Sequence, residues 1–289
     1  MSGELLTLLK ERGIRLSKRS GQHLVMDPTV LERMVGYAEL SRDDTVLEIG
    51  AGLGNLTELL GARAGKVLAI EKDKRLLDLA REKLRSHANV KLILGDALKV
   101  PLPDFQKVVA NIPYAISSDL TFRLLEKNFK LAVMMYQKEF AERLVAKPGS
   151  ENYGRLTVNV YYRATAELLD DVPPEAFFPQ PEITSTIVRI RPREPPFNVE
   201  NERVFSSLTR ALFQHRRQRV RNALLHSFEE VFPIKGLEKD KRRALVDKSL
   251  PKELSEARVM GLTPEEIGAI ANLLAESPDL RNTNPRPKS

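Results

Sequence analysis

The chain has 289 residues, of which 42% are hydrophobic and 29% are charged. This length predicts two domains, and the composition is typical of a globular protein with a full core. No apolar run approaches the length of a membrane span, and the N-terminal segment does not resemble a secretory signal. The sequence therefore predicts a cytoplasmic protein that does not associate with membranes.

The content of titratable residues excludes several kinds of site. The chain has no cysteine, which excludes disulfides, thiolate nucleophiles and cysteine-ligated zinc or iron–sulfur centres. The four histidines are scattered without ligand spacing, so we expect no metal site. The formal net charge of +7 favours a polyanionic partner such as nucleic acid, although it also fits many other proteins.

From Thr45 onward, short apolar runs alternate with amphipathic helical segments. This rhythm predicts an α/β fold with a doubly wound, mostly parallel sheet of seven strands. An N-terminal helical extension precedes the first run. The apolar runs are Val46–Ile49, Val67–Ile70, Val90–Leu94, Val108–Ala110 and Leu131–Tyr136.

Prolines cluster between residues 173 and 196 and bracket a further apolar run, Thr184–Ile190, which we expect to end the sheet. Beyond Phe197, segments such as Val204–Leu225 and Pro264–Ala275 are charge-rich and helix-forming, without a strand pattern. The second domain is therefore predicted to be small and all-helical. The predicted parts are a first domain over 1–197, a helical domain over 198–280 and a disordered tail over 281–289.

A glycine-rich turn follows the first strand. Gly50, Gly52 and Gly54 let the backbone bend sharply and approach a ligand at the start of a helix. Dinucleotide sites prefer G-x-G-x-x-G, which seats a pyrophosphate, whereas the spacing here is G-x-G-x-G. The turn favours a ligand without phosphate, such as the methionine part of S-adenosylmethionine. A glycine turn alone is also compatible with a purely structural role.

Acidic residues end the next two strands. Glu71 lies about twenty residues after the turn, where a carboxylate can accept both ribose hydroxyls, and Asp96 can accept from an adenine amino group. Each acid alone fits a solvated residue after a strand, but the series with the turn favours a cofactor site. Asp44 and Asp73 fit helix caps or surface charges better. Lys72 and Ala97 adjoin the acids and are included in the predicted cofactor site.

The tetrapeptide Asn111-Ile112-Pro113-Tyr114 follows the fourth strand and suits an exocyclic adenine amine. That nitrogen must become pyramidal before its lone pair is a useful nucleophile. The Asn111 side-chain oxygen and the Ile112 carbonyl can hold the amino hydrogens and favour this form. Pro113 fixes the backbone, and Tyr114 offers a stacking face for an extruded base. Asn-x-Pro after a strand is also common turn chemistry.

A second aromatic platform for the base is expected at Phe177, where the prolines of Phe177-Phe178-Pro179-Gln180-Pro181 would hold a ring rigidly near the sheet's edge. Phe177 or Phe178 is equally compatible with a place in the core.

Arginines are concentrated between residues 210 and 221, with no acidic residue among them. Helical spacing would put Arg210, Arg217 and Arg221 on one face, which predicts a phosphate-binding stripe. Arg216, in the same run, is also predicted to bind RNA. Charge runs are usually solvated faces, but those normally mix signs. A second basic cluster, Arg12, Arg15, Lys18 and Arg19, lies near the N-terminus.

Taken together, these residues resemble the ribosomal RNA adenine N6,N6-dimethyltransferase family of small-subunit enzymes, over about residues 15 to 275. The motifs that carry the resemblance are Lys18-Arg19-Ser20-Gly21-Gln22-His23, Leu47-Glu48-Ile49-Gly50-Ala51-Gly52-Leu53-Gly54, Gly95-Asp96-Ala97, Asn111-Ile112-Pro113-Tyr114, Phe177-Phe178-Pro179-Gln180-Pro181 and Phe213-Gln214-His215-Arg216-Arg217 with Arg221-Asn222.

The resemblance implies a Rossmann-like methyltransferase sheet, S-adenosylmethionine as cofactor and dimethylation of two adjacent adenosines in the 3′-terminal hairpin loop of small-subunit ribosomal RNA. The partner would be an immature 30S-type subunit, and the protein would be monomeric. Gln22 and His23 would lie near the methionine end of the cofactor, and Phe177 with Tyr114 would sandwich the target base.

Tyr136-Gln137-Lys138-Glu139-Phe140-Ala141 and Tyr153-Gly154-Arg155-Leu156 are more similar to the archaeal and eukaryotic branch. Two positions depart from the family pattern. Leu24, which belongs to the predicted cofactor site, stands where the family has Phe, and Glu182 stands where Lys is common. The departures bear on local cofactor and RNA contacts.

Three other functions fit parts of the sequence. A large-subunit ribosomal RNA adenine dimethyltransferase would use the same cofactor and the same Asn-x-Pro-Tyr motif. A DNA adenine methyltransferase would need a major-groove recognition module, which the sequence does not suggest. The protein could also act mainly as an assembly factor that binds the immature small subunit.

Overall fold

The computed structural model describes residues 7, 9, 11–14, 16, 23–232, 234 and 236–277. These residues divide into two compact units, the first drawn from 1–142 and 164–193 and the second from 143–163 and 194–289. The predictions for Gln22, for Arg15, Lys18 and Arg19, and for the tail over 281–289 fall outside the described residues.

The first unit is built on a seven-stranded sheet with the strand order β4-β3-β2-β5-β6-β9-β7. Strands β2 to β6 pair in parallel, whereas β9 is antiparallel to both β6 and β7. A short antiparallel pair, β1 with β8, forms a separate two-stranded sheet. The strands are β1 (Leu24–Val25), β2 (Thr45–Ile49), β3 (Lys66–Glu71), β4 (Val90–Leu94), β5 (Lys107–Asn111), β6 (Leu131–Gln137), β7 (Ala164–Val172), β8 (Phe177–Phe178) and β9 (Ser185–Pro192). The predicted doubly wound, mostly parallel α/β sheet is confirmed.

Helices accompany these strands, and local capping explains where two of them begin. The Asp27 side chain accepts a hydrogen bond from the amide of Thr29 at 2.8 Å, and Asp73 does the same for Arg75 at 2.9 Å. The expectation that Asp73 acts as a cap is therefore confirmed. The helices are α1 (Pro28–Tyr37), α2 (Asn55–Arg63), α3 (Lys74–Lys83), α4 (Ser117–Leu125) and α5 (Lys138–Leu144).

The outermost strand, β7, has no counterpart among the predicted strands. The run Thr184–Ile190 corresponds to β9, which does not end the sheet as expected but lies between β6 and β7. Most β7 residues are exposed or half-buried because the strand lies at an edge. An edge strand needs no continuous apolar run, so β7 lacks the pattern that identified the central strands.

Gly54 caps the N-terminus of α2 with a positive φ of 80°. A Cβ there would lie 3.0 Å from Leu84 Cδ1 and 3.3 Å from Ala80 Cβ, both on or beside α3. We expect Gly54→Ala to lower the free energy of unfolding by about 2–3 kcal/mol, the sum of backbone strain and crowding.

The matched control is Gly149→Ala, since Gly149 has a φ of 83° but no atom within 4 Å of the position that a Cβ would take. This control should lose only the backbone contribution, about 1 kcal/mol. Urea unfolding measures both variants, and equal losses would contradict the crowding at Gly54.

The second unit consists of helices around an apolar core that includes Phe205, Phe228 and Phe232. The Tyr153 hydroxyl donates to the Leu262 carbonyl at 2.7 Å, which ties an early segment to a late one. The helices are α6 (Arg155–Arg163), α7 (Glu202–Gln214), α8 (Val220–His226), α9 (Phe228–Val231), α10 (Lys239–Ser249), α11 (Lys252–Glu256) and α12 (Pro264–Glu276).

The division of the chain differs from the predicted boundary between residues 197 and 198. The second unit starts four residues earlier after the sheet, and it also takes residues 143–163 from within the predicted first domain. The reason is packing: Tyr153, Val158 and Tyr162 belong to the same apolar core as α7 and α12.

Among the described residues, no helix combines the length and apolarity that crossing a membrane requires.

Candidate functional site

A cavity of about 580 Å³ lies in the first unit at the carboxyl ends of the central strands. The strand order reverses between β2 and β5, and open α/β sheets bind ligands in the crevice at such a switch point. The volume lies in the range of small-molecule sites. The predicted residues that line the cavity are His23, Leu24, Gly50, Gly52, Glu71, Lys72, Asp96, Ala97, Asn111 and Pro113.

The glycine turn after β2 forms one wall of the cavity. Gly50 and Gly52 have φ values of 82° and 55°, which only glycine adopts readily. A Cβ on Gly52 would lie 2.8 Å from Leu24 Cδ2, so Leu24 packs directly on the turn. Gly54 does not line the cavity; it caps α2 and faces α3.

Glu71 ends β3 with its side chain held by the backbone. Its Oε2 accepts from the Gly52 amide at 2.8 Å and its Oε1 accepts from the Asp73 amide at 2.8 Å. The residue is only 7% exposed. These two bonds fix the carboxylate at the cavity wall, and each oxygen keeps a further lone pair for a ligand hydroxyl.

Asp96 lies just after β4 and faces the cavity beside Lys72. The Lys72 ammonium donates to Oδ2 at 2.9 Å, and the Leu98 amide donates to Oδ1 at 3.0 Å. These bonds hold the pKa of Asp96 below its ordinary value, and the bond from Lys72 has the largest effect. The group is therefore an ionised hydrogen-bond acceptor at neutral pH.

Asn111 ends β5 with its amide oriented by the chain itself. Its Nδ2 donates to the His23 carbonyl at 2.8 Å, which leaves Oδ1 as the acceptor at the other end of the amide. The His23 ring is held in turn, because its Nδ1 donates to the Pro179 carbonyl at 2.6 Å. The structure thus brings Asn111 and His23 together at the same side of the cavity.

Tyr114 follows at the start of a 3-10 turn and stacks on His23, with ring centroids 5.3 Å apart and planes 28° apart. Its hydroxyl makes a hydrogen bond of 2.6 Å with the Ser185 hydroxyl, and burial raises its pKa. Ile112, between Asn111 and Pro113, has a buried side chain, and its amide donates to the Met135 carbonyl at 3.2 Å. Neither Ile112 nor Tyr114 is among the residues lining the cavity.

Phe177 is buried in the structure. Its side chain is 4% exposed and belongs to the core cluster that covers the sheet, whereas the neighbouring Phe178 is 37% exposed. In β8 successive side chains point to opposite faces, and Phe177 pairs with the buried Val25. The Phe177 side chain is therefore almost fully covered by the chain itself, and its role as a platform for the base stays a prediction.

Glu48 lines the cavity, although the sequence pattern assigned it no role of its own. It is 1% exposed, and neither carboxylate oxygen has a hydrogen-bond partner among the described residues. Burial above all, with the negative charge of Glu71, raises the pKa of Glu48 to about 8. An acidic residue in the middle of an otherwise apolar strand is the sequence signal that could have identified it.

The arginine segment does not form one helix face. The sequence predicts a helix over Val204–Leu225, but α7 ends at Gln214 and α8 begins at Val220. The residues between them bond to a later segment instead: Arg216 and Gln218 accept at their carbonyls from Met260 and Val259. The expectation that Arg210, Arg217 and Arg221 share a helical stripe is therefore wrong.

The four predicted RNA-binding arginines also differ in what they already contact. Arg221 donates twice to Asp247, at 2.5 and 2.7 Å, and Arg216 donates to the Glu151 carbonyl at 2.6 Å. Arg210 and Arg217 are exposed, and no hydrogen bond or ion pair joins their side chains to described residues. Arg210 and Arg217 are thus the better placed of the four to contact phosphate.

The sheet topology, the glycine turn and the acidic residues after β3 and β4 define the class of Rossmann-like, S-adenosylmethionine-dependent methyltransferases. Within that class, the model of the family described as ribosomal RNA adenine dimethylase matches residues 13–257. The chain belongs to the ribosomal RNA adenine dimethylase family.

Relatives extend over nearly the whole chain. A probable ribosomal RNA small subunit methyltransferase A from Methanosarcina acetivorans is 45% identical over 253 residues, which is 88% of this chain and 91% of the relative. The protein of the same name from Methanothermobacter thermautotrophicus is 43% identical over 277 residues, 94% and 96% of the two chains.

Solved structures show the same fold. A dimethyladenosine transferase from Plasmodium falciparum has a TM-score of 0.71 and 30% identity, over 88% of this chain and 96% of that one. The 23S rRNA methyltransferase ErmE has a TM-score of 0.62 and 28% identity, over 88% and 100%. The predicted enzyme class and cofactor are thereby confirmed.

Proposed function

We propose that this enzyme dimethylates N6 of two adjacent adenosines in the 3′-terminal hairpin loop of small-subunit ribosomal RNA. The observation that carries the proposal is the position of Asn111-Ile112-Pro113-Tyr114 at the carboxyl end of β5, where Asn111 and Pro113 line the cavity that Glu71 and Asp96 also line. The names of the curated relatives support the small subunit as the substrate.

The cavity fits S-adenosylmethionine. Gly50 and Gly52 line the cavity with φ values of 82° and 55° and carry no Cβ, so the backbone of the turn can approach a ligand closely. Glu71 would accept the ribose hydroxyls and Asp96 the adenine amino group. When bound, this cofactor supplies a methyl group on a sulfonium, an electrophile that needs only a positioned nucleophile.

The chain's own task is to prepare the adenine nitrogen. The Asn111 Oδ1 and the Ile112 carbonyl would each accept one amino hydrogen, which favours a pyramidal nitrogen with an available lone pair. The bond from Asn111 Nδ2 to the His23 carbonyl keeps Oδ1 from rotating away. Positioning by fixed acceptors, without a strong base, would supply much of the acceleration.

Tyr114 would provide the stacking surface for the target base. His23 stacks on one face of the Tyr114 ring, and Ser185 makes a hydrogen bond with its hydroxyl. These two contacts fix the orientation of the ring before the substrate binds. A base in a loop can be extruded at lower cost than one in a duplex. Pro113 restricts the backbone that carries both Ile112 and Tyr114.

The partner we propose is the immature 30S-type subunit, met in the cytoplasm by a monomeric enzyme. Arg210 and Arg217 in the helical unit would contact phosphates of the ribosomal RNA.

The test is methyl transfer from labelled S-adenosylmethionine to immature archaeal small subunits, followed by mapping of the modified nucleotides. We expect dimethyladenosine at two neighbouring positions. Label found in 23S rRNA would favour the large-subunit alternative, and label on DNA or on cytosine would overturn the proposal.

The carboxylate of Glu71 is expected to matter for cofactor affinity. Replacement of Glu71 by glutamine leaves one acceptor and puts an NH2 group against the backbone amides of Gly52 or Asp73. We expect S-adenosylmethionine to bind roughly 10- to 100-fold more weakly, as for a lost charged hydrogen bond. Calorimetric titration measures the affinity, and Glu82→Gln, an exposed site paired with Arg12, is the control. Equal affinity in both variants would contradict the role of Glu71.

A further inference from the structure

A second cavity, of about 640 Å³, lies within the helical unit beside α8 and α10. The two cavities share no lining residue, and none of the residues between 210 and 221 lines this one. The residues that matter here are Asn222, Leu225 and His226 on α8, and Lys239, Arg242 and Arg243 on α10.

The cavity is basic, with no carboxylate among the described residues that line it. Arg242 is occupied: it donates to Glu229 and to the Leu237 carbonyl, each at 2.6 Å. Lys239 and Arg243 are exposed and make no hydrogen bond or ion pair with described residues. Two cations are therefore available to an anionic ligand.

The bond network of Arg221 explains why Arg243 stays available. Asp247, one turn after Arg243 on α10, is held by two hydrogen bonds from Arg221 on α8. Its carboxylate is thus committed across the two helices, and Arg243 interacts with it only at a distance. The same pair fixes α8 against α10 and so preserves the shape of the cavity.

The remaining lining suits a planar, partly apolar group. Leu225 and Leu237 are half-buried apolar residues that pack against the helical core. The exposed His226 ring packs against His215 in a tilted arrangement, with centroids 4.9 Å and planes 33° apart, and Asn222 offers both a donor and an acceptor. Unpaired RNA bases are commonly stacked on histidine or arginine and hydrogen-bonded at their edges.

We propose that this cavity binds one unpaired nucleotide of the RNA substrate, with the base against Leu225, Leu237 and His226 and the flanking phosphates on Lys239 and Arg243. The proposal rests on the proposed function insofar as the ligand is RNA. The cavity is large enough for a nucleotide, whereas a single phosphate would need only a small basic cleft.

The experiment measures binding of the full chain to a labelled 12-nucleotide oligoadenylate RNA by fluorescence anisotropy, over a series of salt concentrations. Three variants are compared with the parent chain: Lys239→Gln with Arg243→Gln, the charge-matched control Lys241→Gln with Lys252→Gln, and His226→Ala. Lys241 and Lys252 are exposed and do not line the cavity. Thermal unfolding shows whether each variant is folded.

We expect the Lys239 and Arg243 variant to bind roughly tenfold more weakly at 100 mM salt. Its slope of log affinity against log salt should fall by about 1.4, the value for two phosphate contacts on a single strand. The control should keep the slope of the parent chain. His226→Ala should bind about five- to tenfold more weakly at every salt concentration with an unchanged slope, because stacking is insensitive to salt.

Equal slopes in the Lys239 and Arg243 variant and in its control would overturn the phosphate contacts. Unchanged affinity in His226→Ala would overturn the base site, and failure of the parent chain to bind the oligonucleotide would overturn both. Methyl transfer by the parent chain is assayed separately. Loss of that transfer would count against the proposed function and not against this cavity.

Discussion

Replacement of Asn111 by alanine is expected to lower the single-turnover rate constant for methyl transfer roughly 100- to 1000-fold, the usual loss for one preorganised hydrogen-bonding group at the reacting atom. The variant removes the Oδ1 acceptor that would hold an amino hydrogen of the target adenine. It also removes the bond from Nδ2 to the His23 carbonyl. The measurement is a single-turnover rate at saturating cofactor and saturating small subunits, so that a change in binding does not enter.

Asn111→Asp separates the two roles of the side chain. Aspartate retains an oxygen acceptor but cannot donate to the His23 carbonyl, so we expect a smaller loss of rate than in the alanine variant. A rate for Asn111→Ala within threefold of the parent enzyme would show that the acceptor at residue 111 does not prepare the nitrogen. In that case the reaction would depend on positioning by the remaining residues.

The second large effect concerns Glu48 and the dependence of stability on pH. In the folded chain the pKa of Glu48 is raised from 4.5 to about 8, mainly by burial. Between these values the folded state holds a proton that the unfolded state has lost. The free energy of unfolding therefore falls as pH rises from about 4.5 to about 8, and this contribution is fully present only below that window.

Glu48→Gln removes the titrating group and keeps a neutral side chain of similar size. Relative to the parent chain, we expect the variant to gain on the order of 3–5 kcal/mol in unfolding free energy between pH 5 and pH 9. Urea unfolding at pH 5, 7 and 9 gives the difference, in which other titrating groups largely cancel. The exposed Glu126→Gln is the control. A stability difference that stays constant with pH would show that Glu48 is not held neutral in the folded chain.

The central sheet and most of the cofactor site could be predicted because each rests on a strong local signal. The strands β2, β3, β5 and β6 are buried on both faces and so read as continuous apolar runs. The glycine turn follows β2, Glu71 and Asn111 end β3 and β5, and Asp96 comes just after β4. Parallel strands bring their carboxyl ends to one edge. Chain order alone therefore placed them on the same cavity.

The features that the sequence did not reveal depend on long-range contacts. The edge strand β7 lacks an apolar run because one of its sides is open. The break between α7 and α8 is imposed by backbone hydrogen bonds to residues 257–260, which the arginine-rich segment does not encode by itself. The burial of Phe177 follows from its pairing with Val25 across β1 and β8, and the motif was equally compatible with either phenylalanine in the core.

The route of the chain through its two units constrains how the protein can mature. Residues 143–163 are synthesised before β7 and β9, yet their packing partners lie after residue 193. All the strands of the sheet are synthesised before α7 and α12, the helices against which α6 packs. The hydrogen bond from the Tyr153 hydroxyl can form only after Leu262 has been synthesised. A polypeptide stopped just after β9 would therefore expose the apolar side of α6, including Val158 and Tyr162, to chaperones or proteases until translation ends.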